Sequence, residues 1–267
     1  MPDDKKSCFA CCPPIRPSGY EHIQYENIIK RLLRENTRSF RSRKHHITGF
    51  SCWALGYLDK DFGQVGCLLH PAQNNGKDLR DLTGYGEKCR RESCLEAMIF
   101  SHLGHDTKNF LIQFANGLNS FSYSSRKFNP LFRLLRWGEE VLEHIAKRED
   151  YCTMILPLLE GRYPFLKAGM DPRGVAYPVK FLLRSGKRPD ANFIARFVKE
   201  IKKQQAIYTH EESQRSFNAP YVHRLDMDRD FLDFLRLGLS IKRMDYDMAL
   251  LIKEGVDRLL SRSLFAL

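Results

Sequence analysis

Seven of the eight cysteines in this 267-residue chain lie within its first 94 residues. The seven are Cys8, Cys11, Cys12, Cys52, Cys67, Cys89 and Cys94, and Cys152 stands alone. The opening residues, Met-Pro-Asp-Asp-Lys-Lys, carry no apolar stretch after their charges, so we expect no secretory signal and a cytoplasmic protein. Because the cytosol keeps thiols reduced, clustered cysteines there favour bound metal over a disulfide framework.

The first three cysteines form a compact motif. Cys8-Phe-Ala-Cys11 is a C-x2-C pair, Cys12 follows directly, and Pro13-Pro14 prevents the segment from continuing as a helix. A C-x2-C turn presents two sulfurs to one metal ion. Three further cysteine motifs follow it along the chain: Cys52-Trp-Ala-Leu, Cys67-Leu-Leu-His-Pro and Cys89-Arg.

In this order the motifs resemble the zinc- or iron-chelating cysteine-cluster domain of bacterial proteins, and flagellin lysine-N-methylases carry a similar cluster. The resemblance covers about residues 8–94. It implies six candidate metal ligands: Cys8, Cys11, Cys12, Cys52, Cys67 and Cys89. A tetrahedral zinc needs only four ligands, so six thiols suit either an iron–sulfur cluster with additional thiols or one zinc with structural thiols. The expected cofactor is therefore zinc or iron.

Three other side chains, which are not among the six candidate ligands, need separate interpretation. Ser93-Cys94-Leu-Glu96 predicts a capping box with Ser93 as N-cap, which puts Cys94 in the first helical turn as a ligand, a reactive thiol or a bystander. His70 is either an imidazole ligand or a turn residue before Pro71. Cys152 lies in an apolar context and is predicted to be a core residue.

The rest of the chain predicts a mainly α fold, an irregular helical bundle that follows a loop-rich, metal-stapled N-terminal region. We expect a cysteine-rich metal-binding region at 1–94 and a helical domain at 95–267. Apolar residues at helical spacing predict helices over 23–36, 93–103, 106–118, after Asn129-Pro130, after Asp190, after Asp228 and over 248–260.

Composition and the absence of known motifs exclude several classes of protein but do not identify an activity. The formal net charge of +11 describes a basic surface that could contact an acidic protein or nucleic acid, and no apolar run is long enough to span a membrane. Phosphate-binding loops, a dinucleotide fingerprint, a nucleophile elbow and a zinc-protease helix are all missing from the sequence. The sequence therefore predicts a metal-binding protein of unassigned activity. The alternatives are an S-adenosylmethionine-dependent protein-lysine methylase-like enzyme, which rests on the resemblance alone, and a nucleic-acid-binding zinc module that uses the basic stretch 38–44.

Overall fold

The fold is described from a computed structural model for residues 6–12, 18–40, 52–91, 94–150, 153–167, 171–187, 189, 191–212 and 219–263. These residues form twelve α-helices and one sheet of two short antiparallel strands, which confirms the predicted mainly α fold. The chain divides into two compact units, Met1–Leu135 and Arg136–Leu267. Within the described ranges, no helix combines the length and the apolar character that crossing a membrane requires.

The first unit, Met1–Leu135, contains short helices around a β-hairpin. Its elements are α1 (Glu26–Ser39), β1 (Leu55–Tyr57), β2 (Val65–Cys67), α2 (Gly86–Arg91), α3 (Leu95–His102), α4 (His105–Ile112), α5 (Ser120–Tyr123) and α6 (Leu131–Leu135). A 3₁₀ turn at His22–Tyr25 leads directly into α1, so the helix predicted over 23–36 begins three residues later than expected. Two further 3₁₀ turns, Pro71–Gln73 and Arg80–Thr83, lie between β2 and α2.

Two polar side chains of α1 hold the edge of the hairpin. Asn36 Nδ2 donates to the carbonyl oxygens of Cys52 (3.0 Å) and Leu55 (2.8 Å). The Tyr57 N–H donates to Thr37 Oγ1 at 2.8 Å. These bonds satisfy backbone groups that a two-stranded sheet leaves unpaired, which explains how three-residue strands persist.

The boundary between the two units falls after Leu135, whereas the sequence analysis predicted a boundary after residue 94. Helices α3 to α6 belong to the same unit as the cysteine motifs, and Phe121 of α5 lies in the hydrophobic core around Phe9. The Phe9 ring packs edge-on against Phe121 with centroids 5.3 Å apart, and the Phe9 N–H donates to Ser124 Oγ at 2.9 Å. The N-terminal segment is therefore anchored on residues that the predicted boundary assigned to the other domain.

The second unit, Arg136–Leu267, is helical. Its described elements are α7 (Glu139–Ala146), α8 (Leu156–Arg162), α9 (Pro172–Arg184), α10 (Ala191–Glu212), α11 (Arg229–Asp233), a π-helical turn (Phe234–Gly238) and α12 (Tyr246–Ser263). The Asp228 side chain caps α11 by accepting the Phe231 N–H at 2.9 Å, as the sequence predicts. The helix expected to run on from Asn129-Pro130 is instead interrupted at Gly138, whose φ of +84° a helix does not allow.

Helix α9 packs against the π-helical turn through two glycines. A Cβ atom at Gly238 would lie 2.3 Å from the carbonyl oxygen of Gly174, so only glycine permits this contact between backbones. The sequence analysis did not predict α9, because Pro172 suggested a break in the helical bundle. Pro172 instead takes the first helical position behind an Asp171 cap.

Candidate metal centre

All seven N-terminal cysteines line one cavity of about 290 Å³ in the first unit. The structure thus brings together the six predicted ligands and adds a seventh cysteine, Cys94. They come from five separate segments of the chain, and each is a thiol rather than half of a disulfide. Apolar side chains complete much of the wall, among them Phe9, Leu55 and Ala97.

The C-x2-C-C motif, which we call the knuckle (residues 8–12), is positioned by Phe9. The Cys12 N–H donates to the Phe9 carbonyl oxygen at 2.9 Å, which closes a tight turn through Ala10 and Cys11. The buried Phe9 ring packs edge-on against His22, with centroids 4.6 Å apart, and against Phe121. The residue between the first two cysteines therefore anchors the motif in the core, while the cysteines themselves line the cavity.

The hairpin positions Cys52 and Cys67. Cys52 precedes β1, and its carbonyl oxygen accepts the Leu55 N–H at 3.0 Å. Cys67 ends β2 directly opposite Leu55 in the antiparallel register. The Leu68 N–H then donates to Ala54 O at 2.8 Å, which extends the pairing just past the strand. Antiparallel pairing therefore brings together two cysteines that lie fifteen positions apart in the sequence.

Two short helices contribute the remaining thiols. Cys89 lies on α2, where its N–H donates to the Tyr85 carbonyl oxygen at 2.8 Å. Cys94 is the N-cap of α3, not a first-turn residue as predicted, because its backbone is extended (φ −64°, ψ 153°) and the helix begins at Leu95. Its side chain makes no capping hydrogen bond, and the predicted cap Ser93 lies outside the described residues.

Two nitrogen-bearing side chains also line the cavity. His70 Nδ1 accepts the Ala72 N–H at 3.2 Å, so the imidazole caps a 3₁₀ turn; burial and the Arg80 charge lower its pKa. Arg80 donates from Nε and Nη2 to the Asp78 carboxylate (2.9 and 2.7 Å). The sequence analysis did not identify Arg80, because Asp-x-Arg spacing suggests an ion pair but does not indicate that the arginine lies beside the cysteines.

Burial controls the ionisation of the thiols. Loss of solvent raises the pKa of Cys8 and of Cys52 to about 11, and it also raises the pKa values of Cys67 and Cys94. The pKa of Cys12 lies well above its usual value, first because of a hydrogen bond with Cys11 and then because of burial. Neighbouring thiols raise one another's pKa further, since two thiolates repel. A bound cation is what would make several thiolates favourable here.

The thiols are distributed around the wall of the cavity. Among the described residues, no three His, Cys, Asp or Glu side chains converge closely enough to hold a single metal ion. The donor set is nevertheless soft and sulfur-rich, which fits zinc or iron–sulfur chemistry rather than magnesium or calcium.

Several other predicted features lie partly or wholly outside the described residues. Most of the basic stretch 38–44 lies within residues 41–51, which are outside the described part of the chain, and so is Cys152. No protein-family model, curated protein or solved structure is significantly similar to this chain.

Proposed function

We propose that the first unit is a cytosolic metal-binding module whose cysteine cavity holds an iron–sulfur cluster. The observation that carries the proposal is the meeting of seven thiols, drawn from five segments, on one cavity. Chance burial of cysteine as a small apolar residue accounts for single positions, but not for every described cysteine lining the same cavity. The free thiols support a cytosolic location, because a reducing compartment preserves them.

Two features favour a cluster over a single zinc ion. A structural zinc site is closed by four ligands about 2.3 Å from the metal, and this cavity has seven thiols. The volume of about 290 Å³ is also roughly ten times the ~30 Å³ that one water molecule occupies in the liquid, far more than one ion needs.

Arg80 supports the same interpretation through its charge. Several thiolates around a cluster carry net negative charge, which costs free energy in a partly apolar cavity. The Arg80 guanidinium lines that cavity, and it donates from Nη1 to the Cys89 carbonyl oxygen at 3.4 Å. Its positive charge would offset part of the thiolate charge.

The proposed cluster would link the knuckle to the hairpin, to α2 and to the start of α3. Thiolate–metal bonds supply folding free energy outright in small sites of this kind. An iron–sulfur cluster also supplies a one-electron redox centre when bound.

The experiment is metal analysis of the full chain purified without oxygen. We expect a brown protein that absorbs near 400 nm and contains iron and acid-labile sulfide. Cys67→Ser should lose most of the iron, because Cys67 lies at the cavity wall, whereas Cys152→Ser, which removes the one cysteine outside the N-terminal group, should retain it. Cys67→Ala serves as a second variant, since serine oxygen sometimes replaces sulfur as a ligand.

Each outcome bears on the proposal. A colourless protein that holds one zinc per chain would replace the cluster by a zinc site in the same cavity. Iron content unchanged in both Cys67 variants would exclude that residue as a ligand. A protein that holds neither metal after anaerobic purification would contradict metal binding altogether.

A further inference from the structure

The first unit has a second cavity, of about 520 Å³, which shares no lining residue with the cysteine cavity. Its wall is formed by the residue that precedes Ser7 and the knuckle, by α1, by the β1–β2 hairpin and by the segment that leads into α5. Phe9 lines the cysteine cavity and Phe121 lines the second cavity, so this edge-on pair of rings lies between the two. A volume of this size is typical of sites for small organic ligands.

Two lysines give the second cavity its charge. Lys6 is almost fully buried, with a relative exposure of 7%, and its Nζ lies 5.3 Å from the centroid of the Tyr123 ring. Lys30 Nζ lies 5.5 Å from the Phe121 centroid and 2.6 Å from a carboxylate oxygen of Glu26. The Lys30–Glu26 pair is partly exposed and contributes little to stability, so an anion in the cavity would compete with Glu26 for Lys30.

Part of the wall is aromatic. The rings of Tyr57 and Phe62 pack edge-on, with centroids 4.9 Å apart and an interplanar angle of 71°. Phe62 is 43% exposed, so its ring offers an apolar face at the rim of the cavity. The Arg34 guanidinium carbon lies 5.6 Å from the same ring, which adds a third positive charge nearby.

The backbone at Phe62 is held in an unfavourable conformation. Its φ of +56° lies in the left-handed region, which bulky side chains rarely occupy. The Asp59 carboxylate maintains the turn by accepting the N–H groups of Gly63 (3.0 Å) and Gln64 (2.8 Å). Strained residues of this kind concentrate at binding sites, where the surrounding structure holds a side chain in place for a ligand.

We propose that this cavity binds an organic anion that carries an aromatic ring, with a phosphate or carboxylate group facing Lys6 and Lys30 and the ring against Tyr57 and Phe62. The charge of the lysines selects the anion, and the apolar wall selects the ring. This proposal does not depend on the metal, because no cysteine lines the second cavity.

The test is isothermal titration calorimetry on the full chain with phenyl phosphate as the probe. Inorganic phosphate, which has the charge but no ring, and benzyl alcohol, which has the ring but no charge, are the comparison ligands. We expect phenyl phosphate to bind at least tenfold more tightly than either. Lys30→Gln and Phe62→Ser should each weaken its binding at least fivefold. Lys77→Gln, which removes the same charge from an exposed lysine outside the cavity, should leave it unchanged.

Three results would overturn the proposal: no binding of phenyl phosphate at millimolar concentration, equal affinity for inorganic phosphate, or equal weakening by Lys30→Gln and Lys77→Gln. Circular dichroism of each variant separates loss of binding from loss of fold. Metal content measured on the same preparations keeps this test distinct from the iron–sulfur proposal, since either can fail while the other holds.

Discussion

Tyr177, Lys253 and Asp257 form a small network in the second unit. The Tyr177 hydroxyl donates to Asp257 Oδ1 at 2.5 Å, and Lys253 Nζ donates to Asp257 Oδ2 at 2.8 Å. Burial, and then the hydrogen bond to the Asp257 carboxylate, raise the pKa of Tyr177 to about 12. The folded protein therefore holds the phenol proton more tightly than the unfolded chain, in which this group titrates near its ordinary pKa of about 10.

We predict that Tyr177→Phe lowers the free energy of unfolding of the full chain by about 1 kcal/mol at pH 8. Because the raised pKa stabilises the folded state below pH 10 and this contribution is lost as pH rises toward 12, the difference between wild type and variant should shrink over that range. Urea unfolding of both proteins at pH 8 and at pH 11 measures it. A difference that stays constant with pH would show that the phenol proton is not held in this way.

Single residues also show which parts of the site the spacing of the cysteines could predict. The C-x2-C-C knuckle and the later cysteine motifs predicted a shared site, and all six predicted cysteines do line one cavity. Spacing could not place Arg80 or Cys94 on that cavity, because their positions depend on how short turns pack in space. The anchoring role of Phe9 could not be predicted either, because an apolar residue between two cysteines does not indicate which residues it packs against.

At the scale of elements, the position of Cys89 depends on a close contact at the start of α2. A Cβ atom at Gly86 would lie 2.6 Å from the Asp81 Cα and closer still to the Asp81 side chain. A side chain at Gly86 therefore forces α2 away from the 3₁₀ turn Arg80–Thr83. Because Arg80 lies on that turn and Cys89 on α2, such a shift would alter the wall of the cysteine cavity.

We predict that Gly86→Ala lowers the metal content of the purified protein to less than half that of wild type, although it changes no cysteine. Glu87→Ala is the matched control, since Glu87 is exposed on the same helix and should leave metal content unchanged. Iron and zinc analysis measures both. If Gly86→Ala retained full metal, α2 would not need its present position for the site.

Helix prediction worked where apolar periodicity was long and capped. Asp228 and the stripe in α12 gave helices as expected, and Asn129 accepts the Leu131 N–H at 2.9 Å as a cap should. Prediction failed where backbone conformation or tertiary contact decided the outcome. Gly138 interrupts a continuous apolar pattern, and the three-residue strands of the hairpin persist through side chains of α1, which no local pattern reveals.

At the scale of the whole molecule, the boundary after Leu135 predicts which fragments of the chain can bind metal. Residues 1–135 include Phe121 and Ser124, on which Phe9 is anchored, whereas residues 1–94 lack both. We predict that the fragment 1–135 retains metal and the fragment 1–94 does not. We also expect the fragment 136–267 to keep helical circular dichroism without metal.

Metal analysis and far-ultraviolet circular dichroism of the three fragments test this prediction. Equal metal content in the fragments 1–94 and 1–135 would restore the boundary that the sequence suggested. It would also mean that the contacts of Phe9 are dispensable for the site.

The contact between Phe9 and Ser124 fixes a sequence of events during synthesis. The two residues are 115 positions apart, and ribosomes add roughly 5–20 residues per second, so on the order of 10 s separates their appearance. During that interval the knuckle lacks its contacts with Phe121 and Ser124, and its thiols are more open to oxidants and to competing metals. A cell that translates this chain faster shortens the exposure, and one that delays translation between these two residues prolongs it.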